Sequence, residues 1–346
     1  MTQRQQMTHY TSINAHAHAA GDPGASVVLT LDQAGARPGP RAVAVGFFDG
    51  VHIGHQTIIR RLVNEAAAGR LLPTCLTFEP HPLQVIEGRR GGPPMLTTLD
   101  EKVSIMRDMG VGECVVAPFT PEFAAHSPGE FAQLVVRETL DARVVMVGYN
   151  FTFGRSGFGK ADDLRRFGED LGFRVIVVDP VMVNGVPVSS TAVRQAVSQG
   201  DMYAARGMLG RPYSVRGRVV HGDGRGRRLG IPTANVDVPA GRLLPLGGVY
   251  ATIAYSGDLY AASVTNVGSR PTFAQGPEGP ARAPLVLETY VPGFSGNLYG
   301  RNIEIRFLKR LRDERRFEKG EDLVRQVLDD ARQALHLASR EAPEGG

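Results

Sequence analysis

Cysteine is nearly absent from this chain. Two thiols in 346 residues, Cys75 and Cys114, are too few for a disulfide framework or a metal-thiolate centre. Both lie in apolar, strand-like surroundings, PTCLTF and GECVVA, which reads as two buried free thiols in a reducing compartment rather than a bridge. No apolar run approaches the ~20 residues that cross a bilayer. The N-terminus also lacks the basic-then-apolar order of a secretory leader. The expectation is a soluble, cytoplasmic protein with no membrane partner. Charge of one sign is lacking too: 39 Lys and Arg stand against 35 Asp and Glu, with the arginines dispersed. That balance suits anionic small substrates and falls short of a dedicated nucleic-acid binder. No internal repeat is visible.

What is present divides in two, as the length of 346 residues suggests. Residues 1–25 are polar and alanine-rich with a GDPGA turn; they read as a loose tail, and His9, His16 and His18 in it carry no role. From 26 to 204 short apolar strands alternate with helical segments, beginning RAVAVGFF, PTCLTF, GECVVAPF, ARVVMVGYNF and FRVIVVDPV. This is the α/β pattern of a doubly wound parallel sheet. Ser127, Pro128 and Glu130 mark one helix start by capping. From 205 to 340 the texture changes to glycine-punctuated, β-branched segments such as YSVRGRVVHG, GVYATIAYSG and LVLETYV, the pattern of an antiparallel barrel or sandwich. A closing helix follows, with Leu323, Val327, Ala331 and Leu335 at helical spacing as a core stripe.

The first chemistry-bearing stretch is GFFDGVHIGH, residues 46–55, where the strand RAVAVGFF hands over to a helix whose apolar face is Ile58, Ile59, Leu62, Val63 and Ala66. His52 and His55 flank that helix N-terminus. Free N–H groups and the helix dipole favour an anion there, and two imidazoles add donors. Gly46, Gly50 and Gly54 permit tight turning and close approach. A strand-to-helix turn with two packed histidines is the plainer alternative. Asp49 is either a turn residue or an orienter of the loop, the former favoured. SSTAVR, beginning at Ser189, starts another helix: Ser189, Ser190 and Thr191 supply hydroxyls and N–H groups, with Arg194 one turn in. That suits a pyrophosphate leaving group, or is simply a cap. GFFDGVHIGH, TFEPHP, GYNFTFG and VPVSSTAVR all fall at one rim of such a sheet, where ligands bind.

The second stretch is HGDGRGRRLGIPTAN, residues 221–235. Gly222, Gly224, Gly226 and Gly230 leave N–H groups for a phosphate, and Arg225, Arg227 and Arg228 bring charge. A solvated hairpin loop is the alternative. Thr233 and Asn235 alternate, so in a strand they share a face and offer two oxygen ligands to a magnesium-bound nucleotide. Glu288, at the end of APLVLETY, is either an outward, solvated strand residue or a general base.

GFFDGVHIGHQ resembles the signature of HxGH nucleotidylyltransferases, and the whole chain from about 41 to 335 resembles the prokaryotic bifunctional riboflavin kinase/FAD synthetase family. TFEPHP, GYNF, SSTAVR, PTAN, NVGSRPTF, LETY and LYGRNIEIRFLKRLRDERRF carry the likeness in order. It implies an N-terminal FMN adenylyltransferase and a C-terminal riboflavin kinase, with ATP as co-substrate, Mg2+ as cofactor and riboflavin, FMN and FAD as the remaining small-molecule partners. It implies that His52 and His55 serve the transferring α-phosphate. Gly46, Phe48, Gly54, Ser189, Ser190, Thr191 and Arg194 would hold ATP, and Asn150 FMN. On the barrel, the glycine–arginine loop would hold ATP, Thr233 and Asn235 the metal, and Glu288 would be the base. Phe48 stands where many relatives have asparagine or another residue. Relatives commonly have histidine at Tyr290 and more acidic character at PGFSGN, departures that bear on flavin contacts. The competing readings are a chain active in only one unit, or a nucleotidylyltransferase carrying a regulatory or nucleic-acid-binding barrel.

Overall fold

The computed structural model describes residues 27–86, 92–222, 224–269 and 285–341. The expected N-terminal tail, residues 1–25, lies outside the described residues. Six parallel strands form the first sheet: β1 (Val27–Thr30), β2 (Arg41–Val45), β3 (Leu72–Glu79), β4 (Glu113–Pro118), β5 (Ala142–Gly148) and β6 (Arg174–Val178). Their order is β1-β4-β3-β2-β5-β6. All five residues of β2 are buried, as expected of a parallel strand covered on both faces. The chain winds outward from β2 through β3 to β4, then crosses to β5 on the other side of β2. The switch point therefore lies between the carboxyl ends of β2 and β5, where open α/β sheets form their ligand crevice. The edge strand β1 was not foreseen, being only four residues long; it leads into helix α1 (Leu31–Gly35) through a Thr30/Gln33 capping box.

Helix α2 (Ile53–Gly69) buries Ile58, Ile59, Leu62 and Ala66 under the sheet. Helix α3 (Leu99–Asp108) starts on a Thr98/Glu101 capping box. Ser127, Pro128 and Glu130 do cap a helical start, which continues as a π-helical stretch over Phe131–Thr139.

The second unit is a closed barrel rather than a sandwich. Its antiparallel strands are β7 (Tyr213–Val220), β8 (Thr233–Asp237), β9 (Gly248–Ser256), β10 (Leu259–Ser269), β11 (Leu285–Tyr290) and β12 (Asn302–Arg312), in the order β7-β8-β11-β10-β9-β12. Closure removes both sheet edges. The barrel is packed rather than hollow. Buried hydroxyls of Thr252, Ser263, Thr265 and Thr289 satisfy one another at 2.8–2.9 Å, so their burial leaves no polar group unpaired.

The closing helix, Gly320–Ala338, packs through Ala331 and Ala334, with Leu337 partly covered. Leu335 corrects the expected stripe: it is 52% exposed. Small alanines let the helix sit close to Val249, Ala251 and Val264 on the barrel wall, and at that distance the seam follows 331, 334 and 337 rather than 331 and 335. The expected division at 204/205 falls inside a helix, Met202–Leu209. Met202, Ala205 and Leu209 belong to the barrel's own core cluster, as do Val193 and Val197 of the preceding helix Ser190–Ser198.

Candidate functional sites

Beyond β2 the backbone turns sharply. Gly46 donates to Leu76 O at 3.1 Å, Phe48 takes a left-handed conformation with φ 55°, and its buried ring folds back beneath Gly46. A Cβ on Gly46 would stand only 3.0 Å from that ring. A 3₁₀ turn over Asp49–Val51 then delivers His52 as the N-cap of α2. Its Nδ1 accepts the N–H of His55 at 3.3 Å, which puts the His52 ring proton on Nε2. The two imidazoles stack at 3.6 Å with an 18° interplanar angle. Gly54 makes this possible, since a Cβ there would press on the His52 ring at 3.1 Å.

Burial holds both rings neutral. His52 is lowered to about 4, against the opposing pull of Asp49, and His55 lies well below its ordinary value, through burial first and His52 and Lys102 next. His55 Nδ1 is buried and finds no partner among the described residues. The rings face a cavity of about 480 Å³ at the switch point, and Gly46, Phe48, Gly54 and Asn150 line it with them. Asn150 is exposed at the rim just after β5.

Ser189, Ser190 and Thr191 line the opposite wall. Ser189 caps its helix by accepting from Ala192 N at 3.2 Å, and Ser190 Oγ donates to Asp49 O at 2.9 Å. Thr191 is exposed. Gly50 does not line the cavity, and neither does Arg194. Its guanidinium is held by Asp49 at 2.7 Å and by Pro94 O at 3.0 Å. Asp49 is itself 1% exposed and accepts from Leu96 N, Thr97 N and Thr97 Oγ1. A serine N-cap and a buried ion pair thus engage groups that could otherwise serve a phosphate.

Two features escaped the sequence. Lys102, fully buried on α3, donates to Phe47 O at 2.7 Å and lies 4.2 Å over the Phe47 ring. Burial lowers it to about 8, so it remains a cation near neutrality beneath the loop. An aromatic wall also gathers on the cavity, where Phe78, Phe119 and Phe123 pack at 5.8–5.9 Å and Phe151 stacks on Phe153 at 5.5 Å. Each phenylalanine looks like ordinary core in sequence; only their convergence distinguishes them.

On the barrel, Asn235 of β8 stands opposite Glu288 of β11, which stands opposite Asn266 of β10. Thr233 and Asn235 share a face as their alternation requires, and both are partly buried. Asn266 donates to Glu314 at 2.8 Å, a carboxylate that no sequence pattern singled out. Gly222 is required by close approach: a Cβ there would collide with the Asn235 amide. The loop after it is not an open nest throughout. Arg225–Arg228 forms one helical turn behind Gly224, at φ 67°. Gly230 N, expected to face phosphate, donates to Arg227 O at 3.2 Å. A Cβ on Gly226 would strike Ile231 O, and Arg227 and Arg228 are exposed.

The family profile described as FAD synthetase matches residues 35–192, and that described as riboflavin kinase matches residues 209–338. A bifunctional riboflavin kinase/FMN adenylyltransferase of Listeria monocytogenes is 34% identical over 84% of this chain and 90% of the relative. One of the same description from Escherichia coli is 34% identical over 83% and 90%. A solved structure named as a macrolide-efflux protein from Streptococcus pneumoniae is 27% identical and covers 89% of this chain and 98% of its own, with a TM-score of 0.79. No helix among the described residues is long and apolar enough to cross a membrane. With the identity spread across both units and nearly the full length of these relatives, the chain belongs to the bifunctional riboflavin kinase/FMN adenylyltransferase family.

Proposed function

We propose that this chain makes flavin nucleotides in two steps, phosphorylating riboflavin to FMN on the barrel and adenylylating FMN to FAD in the cavity of the parallel sheet. Riboflavin, FMN, FAD and ATP are its substrates and products. The observation that carries the adenylylation site is the stacked, neutral His52–His55 pair at a helix N-terminus, facing the switch-point cavity. There an FMN phosphate oxygen attacks the α-phosphorus of ATP, and the bond to the β-phosphate breaks to release pyrophosphate. The nucleophile is already an anion, so the protein's task is positioning and charge stabilisation. His52 donates through Nε2, His55 joins it, and Gly46, Phe48, Gly54, Ser189, Ser190 and Thr191 shape the nucleotide's seat. Arg194 acts from behind the wall, through Asp49. Asn150 and the phenylalanine wall suit the amphipathic flavin of FMN.

On the barrel, the riboflavin hydroxyl that attacks the γ-phosphorus must lose its proton as ADP leaves, and Glu288 receives it. Gly222, Gly224, Arg225, Gly226, Arg227 and Gly230 form the phosphate-side loop. Thr233 and Asn235 would hold Mg2+ with the nucleotide's own phosphates. Their hard oxygen donors, with the cradle that Gly222 keeps open beside Asn235, fit that ion. The metal would neutralise phosphate charge. We place the enzyme in the cytoplasm, consistent with its two free, buried thiols. The working division lies near residue 205. The packing of Met202, Ala205 and Leu209 favours giving the whole Met202–Leu209 helix to the kinase unit.

Incubating the pure protein with riboflavin, ATP and Mg2+ and resolving the products tests this reading. FMN followed by FAD is expected. FMN alone would leave a one-activity chain, and neither product would overturn the proposal.

A further inference from the structure

The turn that presents His52 is strained. Val51 is β-branched, fully buried and held at φ 40°, a conformation that such residues avoid and that surroundings must enforce. The enforcement comes from the far side of the chain. Arg211 donates through Nη2 to Gly50 O at 2.8 Å and through Nη1 to Val51 O at 3.2 Å. Gln56, in the first turns of α2, donates both to Val51 O at 2.9 Å and to Leu209 O at 2.8 Å, so the same amide ties the turn to the 209–211 segment. Gly210, at φ 70°, brings that segment flush against α2, because a Cβ there would meet Ile53 at 3.1 Å. Arg211 remains charged at neutral pH although burial lowers it to about 10.

We infer that Arg211 is a positioning residue for adenylyl transfer: a fork from the kinase-side segment that clamps the Gly50–Val51 carbonyls and fixes the angle at which His52 and His55 meet the phosphate. Arg211 lies outside the FAD synthetase match and inside the riboflavin kinase match, so one unit completes the site of the other. The inference rests on the reading of His52 and His55 as the adenylylation site. Without the fork the turn relaxes toward ordinary backbone angles and the rings swing off line. A shift near 1 Å in such positioning costs ~100-fold in rate.

The test uses the full-length enzyme and three variants, Arg211→Ala, Arg211→Lys and His55→Ala, with both half-reactions and thermal melting measured on each preparation. For Arg211→Ala, kcat for FAD formation should fall ~100-fold with KM for FMN and ATP little changed. Riboflavin phosphorylation should hold at the parent's rate. Arg211→Lys keeps the charge but not the two-pronged geometry, and should recover part of the loss. If Arg211→Ala is insoluble, Gln56→Leu removes the neighbouring clasp and should give the same kcat-selective signature. Parental FAD kcat in a variant whose carbonyl clasp is gone, while His55→Ala abolishes FAD formation, overturns the inference and leaves the site reading intact. A parallel fall of both activities makes Arg211 a general stabiliser and overturns it too. Normal FAD formation by His55→Ala overturns the site reading, and the inference with it.

Discussion

Arg194 and Asp49 form a 2.7 Å ion pair behind the wall of the switch-point cavity, joining the helix after Ser189 to the turn before His52. The carboxylate is 1% exposed and the guanidinium side chain 16%. Three further donors, two backbone amides and a threonine hydroxyl, complete the carboxylate's shell. A residue type that commonly grips phosphate is here used to hold the turn that presents His52.

Arg194→Met should therefore act first on stability. It leaves a buried carboxylate without its cation, a change that costs about 3–5 kcal/mol. Urea denaturation should show that loss, and the Asp49→Asn/Arg194→Met double variant should recover part of it, because no unpaired charge is then buried.

His55→Ala should abolish FAD formation while FMN formation continues. Loss of a donor to a developing phosphate charge is worth ~100- to 1,000-fold in rate. Product analysis from riboflavin should show FMN accumulating; equal loss of both activities in folded protein would argue against two separate sites.

Glu288→Gln keeps shape and hydrogen bonding but removes the basic carboxylate. Riboflavin phosphorylation should drop ~100- to 10,000-fold. ATP affinity and FAD synthesis from supplied FMN should survive. Near-normal phosphorylation would return Glu288 to the role of a solvated strand residue.

His52 contributes a pH dependence to stability. Its folded value, about 4, lies below the ordinary 6.5. As pH falls below 6.5 the unfolded chain takes up a proton that the folded chain refuses until about 4, so stability declines across that window and is fully present above it. His52→Gln should show a shallower decline between pH 6.5 and 4 in parallel melts. An unchanged slope would mean that the buried imidazole is not the responsible group.

Much of this is legible in the sequence itself. The run RAVAV is apolar throughout because both faces of β2 are covered, and the abrupt GFFDG that follows has the composition of a turn. Thr233 and Asn235 share a face because a strand repeats every two residues. The short edge strand β1 escaped because four residues carry too little pattern, and Leu335 was misplaced because helical spacing defines a stripe without saying which of its members the barrel wall reaches.

The sequence by itself determined the two units, the histidine turn, the serine cap and the alternating Thr233/Asn235 pair, since each is written within a few consecutive residues as periodicity, turn chemistry or capping. Only the tertiary structure decided partners. Asp49 claims Arg194 from 145 residues away, and Arg211 reaches Gly50 across 161. Thr233 and Asn235 needed β8 to pair with β11 before Glu288 could stand beside them. A side chain's chemistry is local, but which of several possible partners it meets depends on how whole elements pack, and no short window of sequence contains that information.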